Sequence, residues 1–157
     1  MSAPSPVAPA RYIAVIGGYE VDETVLALAE EVGRLLAQRG CVVKTGGRRG
    51  VAEAASRGAA LAGGITLGML PGTTRDEANP YVTIAVPTGL GETRNALVVM
   101  GTDAVIALPG AYGTLSEVAH GLLAGVPVIG VGEGWSIPGM IQATSPAEAV
   151  DQALTLR

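Results

Sequence analysis

Short apolar runs that stop at glycine or proline recur along this chain, and stretches with helical spacing separate them. Tyr12–Ile16 halts at Gly17-Gly18, and Cys41–Val43 leads into Thr45-Gly46-Gly47. Ile65–Leu70 ends at Pro71-Gly72, Val82–Val86 ends at Pro87, and Ala104–Leu108 and Pro127–Val131 are of the same kind. These runs are continuous rather than alternating, as in strands covered on both faces of a parallel sheet. Between them, Val21, Val25, Leu28, Val32 and Leu35 repeat at four and three residues, the period of an amphipathic helix. Asp22 is placed to cap that helix, and Arg39-Gly40 to end it. Val51–Leu61, Thr93–Met100 and Thr114–Leu123 read as further helices. Ser145-Pro146-Ala147-Glu148 opens a last one with a capping box and proline at the first position.

Strand and helix alternate through most of the chain. That order predicts an α/β fold: a single Rossmann-like, doubly wound, mainly parallel sheet with helices on both faces. The 157 residues suit one such core. Residues 1–10, rich in Ala, Ser and Pro, read as a flexible tail, and 11–157 as the domain. Hydrophobic residues make up 48% and charged ones only 15%, which excludes a disordered chain.

Counting removes several chemistries. One cysteine, Cys41, and one histidine, His120, cannot build an internal disulfide or a Cys/His zinc cluster, and no metal site is expected. No Gly-Lys-Ser/Thr turn marks a P-loop, and no Gly-x-Gly-x-x-Gly a dinucleotide fingerprint. Fourteen acidic residues against ten basic ones, with 3% aromatics and no Phe, argue against nucleic-acid polymers as partners. The first ten residues lack the charged start and apolar centre of a secretory signal, and no apolar stretch of roughly 18 residues suggests a membrane span. The expected setting is cytoplasmic.

In sheets of this kind ligands bind beyond the carboxyl ends of the strands. Three glycine-rich turns belong there: Gly17-Gly18, then Thr45-Gly46-Gly47-Arg48-Arg49-Gly50, then Leu108-Pro109-Gly110-Ala111-Tyr112-Gly113-Thr114. The latter two run from a strand into a helix, whose first N–H groups suit an anion. Arg48 and Arg49 add guanidinium groups, of which one is expected to face the ligand. Arg94 stands near a helix start, where a cation opposes the helix dipole, as happens at functional sites. Glu117 reads both as the N3 residue of a capping box begun by Thr114 and as a carboxylate within a turn of the ligand loop. Ser116 and His120, four apart on one helix, do not make a catalytic triad with it. Tyr19 and Trp135 either line the pocket or pack beside it.

Several segments resemble a known family. Gly46-Gly47-x-x-Gly50-Val51, Arg94, and Pro109-Gly110-x-x-Gly113-Thr114-x-x-Glu117 resemble the Lonely Guy, or "lysine decarboxylase-like", superfamily. Its members cleave the N-glycosidic bond of nucleoside 5′-monophosphates to free base and ribose 5-phosphate without a cofactor, and the single lysine, Lys44, agrees that lysine decarboxylation is not the activity. A closer resemblance is to the sister branch containing the molybdenum cofactor carrier proteins. It rests on the segments 50–59, Ala78-Asn79-Pro80-Tyr81, Thr88-Gly89-Leu90-Gly91-Glu92-Thr93-Arg94-Asn95 and Gly113–Glu117. The Lonely Guy pattern has a second glycine where this chain has Ala111, lysine where it has Asn95, and often methionine where it has Ala52.

Two functions follow from the resemblance. The leading one is a phosphoribohydrolase with Arg94 and Glu117 as its catalytic pair. The other is a non-catalytic carrier of molybdopterin or a related phosphate-bearing ligand. Either would use Gly17, Gly18, Gly46, Gly47, Arg48, Gly50, Gly110, Ala111, Tyr112, Gly113 and Thr114 around the ligand. The low charge and the apolar helices near 96–100 and 118–124 add the expectation of a homodimer or homotetramer.

Overall fold

The computed structural model describes residues 10–156. All but the last residue of the tail expected over 1–10 lies outside them. Among the described residues, seven strands form one parallel sheet: β1 (Tyr12–Ile16), β2 (Val42–Thr45), β3 (Thr66–Leu70), β4 (Ile84–Pro87), β5 (Ala104–Ala107), β6 (Val128–Val131) and β7 (Ile141–Ala143). Five α-helices accompany them: α1 (Glu23–Gln38), α2 (Val51–Leu61), α3 (Asn95–Val99), α4 (Tyr112–Leu123) and α5 (Pro146–Thr155). The spatial order is β4-β3-β2-β1-β5-β6-β7, with every neighbouring pair parallel. The fold is the Rossmann-like α/β sheet that the alternation of runs implies.

The pleat of β1 divides the core. Ile13 and Val15 join Val32, Leu36, Val43, Val51 and Ile129 on the side roofed by α1, α2 and α5. Ala14 and Ile16 join Val98, Val99, Val118 and Val128 beneath α3 and α4. A strand buried on both faces needs apolar residues at every position, hence the unbroken runs. Close approach fixes the seating of α1 on α2. A Cβ added to Gly33 would lie 2.0 Å from the Ala55 carbonyl oxygen, and one added to Gly58 would lie 2.0 Å from that of Glu30. Both helices cross through their glycines, with backbone against backbone.

Local signals place the helix ends. The Asp22 carboxylate accepts from the Val25 N–H, and the Ser145 hydroxyl from the Glu148 N–H, with Pro146 opening α5. The capping box expected at Thr114 does not form. Helix α4 starts two residues earlier, at Tyr112, so Glu117 sits within its second turn rather than at N3. Residues 91–94 form a 3₁₀ turn rather than the first turn of an α-helix, and Arg94 precedes the short α3. Strand β7, only three residues long, answers to no run in the sequence reading.

Strand order also places the ligand crevice. From β1 the chain steps outward through β2, β3 and β4, then returns to add β5 on the opposite flank of β1. The connections diverge between the carboxyl ends of β1 and β5. Such a switch point opens a cleft in this class of sheet.

Candidate functional site

A cavity of about 340 Å³ occupies that switch point. Its floor is Val15, Ile16, Gly17 and Gly18 from the end of β1. Gly46, Arg48, Arg49 and Ala52 border it from the β2–α2 turn, and Ala111, Gly113, Thr114 and Glu117 from the start of α4. Glu92, Arg94 and Asn95 border it from the 3₁₀ turn and α3, and Tyr19 stands at its rim.

Backbone bonds lock the three turns together. The Gly18 N–H donates to the Pro109 carbonyl at 2.8 Å, and the Val51 N–H donates to the Gly18 carbonyl at 3.0 Å. Gly18 therefore ties the turn after β1 to the other two. Neither α2 nor α4 has a side-chain cap. Apart from the Val51 N–H, which Gly18 takes, their first-turn N–H groups and positive dipole ends are left for an anion or water.

Of the thirteen residues that the sequence assigns to a ligand site, nine line the cavity. Gly47, Gly50, Gly110 and Tyr112 do not. The three glycines serve the turns. Gly47 and Gly50 hold φ of +80° and +74°, and a Cβ on Gly110 would lie 2.7 Å from the Gly18 nitrogen. Tyr112 points outward, 80% exposed, with its ring 6.2 Å from that of Trp135. Trp135 itself packs outside the lining and donates its indole N–H to the Ala111 carbonyl at 2.9 Å. Arg48 and Arg49 both border the cavity, against the expectation that one would. The Tyr19 ring gathers them: the guanidinium carbons lie 5.3 and 4.3 Å from its centroid, and Arg49 Nε donates to the phenol oxygen at 2.6 Å.

Asn79 braces this arginine turn from outside. Its buried amide donates to the Arg48 carbonyl at 2.8 Å and the Gly47 carbonyl at 3.2 Å. Lys44 takes no part in the cavity: its Nζ donates to the Met100 carbonyl at 2.8 Å, and burial lowers its pKa.

Arg94 and Glu117 are both buried beside the cavity. The guanidinium lies over Gly46, with Nη2 3.3 Å from where a Cβ would stand. Larger residues at 46 would displace it. Nη1 donates to the Asn95 side-chain oxygen, while Nε is buried without a partner. Glu117 has no ion pair with it. Burial pushes the Glu117 carboxyl up to about 8; Arg94 works against that rise, and Glu92 adds to it. At neutral pH the lining therefore carries three guanidinium charges against the single formal charge of Glu92. A chain with net charge −4 concentrates positive potential at one cleft.

Sequence reading missed Val15, Ile16, Ala52, Glu92 and Asn95 as lining residues. Val15 and Ile16 read as ordinary strand core, and only strand order brings their ends to the switch point. Among the described residues, no group of three or more His, Cys, Asp or Glu side chains could hold a metal ion, and no helix is long and apolar enough to cross a membrane.

Comparison with known proteins agrees with this geometry. The chain is 38% identical over 143 residues to an uncharacterised protein of Archaeoglobus fulgidus, covering 91% of this chain and 94% of that one. Its fold matches the molybdenum cofactor binding protein of Rippkaea orientalis with a TM-score of 0.89 and 35% identity, over 96% of this chain and 99% of that one. It matches the molybdenum cofactor carrier protein of Chlamydomonas reinhardtii with a TM-score of 0.82 and 32% identity, over 93% and 99%. The model of the SLOG cluster4 family covers residues 10–155, and the chain belongs to that family.

Proposed function

We propose that this protein binds a small phosphate-bearing anion at the switch-point cleft and holds it without turnover, as a carrier of molybdopterin or a closely related pterin. One observation carries the reading: two uncapped helix N-termini and three arginines converge on a single cavity. The ligand's phosphate would take the free first-turn N–H groups of α2 or α4 and a guanidinium fork. Protonated Glu117 would donate a hydrogen bond to the ligand instead of repelling its charge. The likeness to the two cofactor-binding proteins, across nearly the whole chain, supports the carrier above the hydrolase.

A second reading keeps its own support. Arg94 and Glu117 both border the cavity, as a phosphoribohydrolase acting on a nucleoside 5′-monophosphate would require. A carboxyl that is still protonated at neutral pH could donate its proton to a departing base.

One experiment separates them. Full-length protein is incubated anaerobically with molybdopterin and, separately, with AMP. Filtration then measures retained pterin by fluorescence after oxidation, and chromatography measures free adenine. The carrier reading expects pterin retained near one per chain and no adenine. Catalytic release of adenine would replace it with the hydrolase reading, and neither retention nor release would reject both.

A further inference from the structure

Asn95 occupies a place that the glycine and arginine motifs do not explain. It is 5% exposed, borders the cavity and follows Arg94 directly. Its side-chain oxygen accepts from Arg94 Nη1, and its amide nitrogen donates to Ser116 Oγ at 3.2 Å. Ser116 in turn donates to the Gly113 carbonyl at 2.6 Å. Guanidinium donates and never accepts, so Asn95 can take only this orientation, with oxygen toward Arg94 and nitrogen toward Ser116. Arg94 Nη1, Asn95 Nδ2 and Ser116 Oγ then each meet an acceptor, and the series ends on the backbone of the turn that opens α4.

We infer that Asn95 and Ser116 are positioning residues that set the Arg94 guanidinium and join it to the Gly113 turn, so that cation and turn meet a ligand's oxyanion as one unit. This rests on the reading that Arg94 holds a ligand anion. Substitution has distinct consequences at this position. Lysine would lose the acceptor and bring a second cation against Arg94. Aspartate would keep the acceptor and cancel the charge. Asparagine alone of the three fixes the guanidinium and leaves its charge for the ligand. Ser116 supplies a contact that threonine can replace and alanine cannot, since a threonine hydroxyl reaches the same carbonyl three residues back.

The test uses the full chain, with AMP and inorganic pyrophosphate as probes in calorimetric titration. Residues that touch within one hydrogen-bond network are coupled, so N95A should weaken the tighter probe by about 10-fold in the wild-type background and less than about 2-fold in R94A. S116A should weaken it by about 3-fold and S116T should not, which keeps the inference testable if N95A does not fold. Equal losses from N95A with and without Arg94 would overturn it, as would wild-type affinity in both N95A and S116A. If R94A binds as well as wild type, or if neither probe binds wild type, the functional reading fails separately. Crystal structures of wild type and S116A then decide the inference: an Arg94 guanidinium and Gly113 turn left in place overturn it, and a displaced guanidinium sustains it.

Discussion

Replacing Glu117 by glutamine should flatten much of the dependence of stability on pH. The folded-state pKa is about 8 against 4.5 for an ordinary glutamate, with burial as the leading cause. Folding therefore retains a proton that the unfolded chain releases between those two values. The sign follows from linkage: stabilisation is complete below the unfolded pKa, declines as pH rises, and is gone above the folded pKa. One pKa unit corresponds to about 1.4 kcal/mol, so wild type should lose about 4 kcal/mol from this group between pH 5 and pH 9. Glutamine is neutral and nearly isosteric, and it carries no such loss. The assay is urea denaturation of wild type and E117Q at pH 5, 7 and 9. Other titrating groups act in both proteins and cancel in the difference. E117Q should match wild type to within about 1 kcal/mol at pH 5 and exceed it by several at pH 9. Parallel pH profiles would refute the claim that Glu117 is buried and neutral.

Other substitutions probe separate parts of the structure. Gly33→Ala places a methyl on the Ala55 carbonyl and should cost about 1–3 kcal/mol by denaturation, since both partners are helix backbone. Ser145→Ala removes the cap of α5 and should cost about 1 kcal/mol. Asn79→Ala strips two bonds from the arginine turn; a stability loss of about 1–3 kcal/mol is expected, with weaker anion binding in the same titration. Leu123, 85% exposed on α4, should lie in a subunit contact. Light scattering should give a dimer or tetramer mass for wild type and a lower one for Leu123→Glu, whereas a single-chain mass for wild type would end that expectation.

Legibility in the sequence depended on distance along the chain. Tyr12–Ile16 and Val51–Leu61 have the bounds that their runs imply, because apolar period and glycine stops are local. Asp22 and Ser145 cap as read, since each reaches an N–H three residues on. Glu117 shows the limit. Its spacing from Thr114 fits a capping box, yet α4 starts earlier, directly after the Pro109–Ala111 turn that Gly18 holds, and Glu117 borders the cavity instead. Strand β7 failed as a run because three residues at a sheet edge need little apolar length. The expectation that one of Arg48 and Arg49 faces the ligand takes no account of Tyr19, thirty residues from Arg49, whose ring both arginines meet. Asn95 looked like a departure from a motif; its partner Ser116 lies twenty-one residues on.

The staple through Gly18 has a consequence for how the molecule would be built and kept. Walls of the cleft come from segments separated by about a hundred residues, so the whole site exists only once all of them have docked. A half-folded chain offers no foothold, so the cargo would be captured only after the last wall has docked. Once captured, it would tighten the entire domain by mass action rather than one loop. Loaded and empty molecules should then differ in lifetime before a protease, which turns occupancy into a measure of survival.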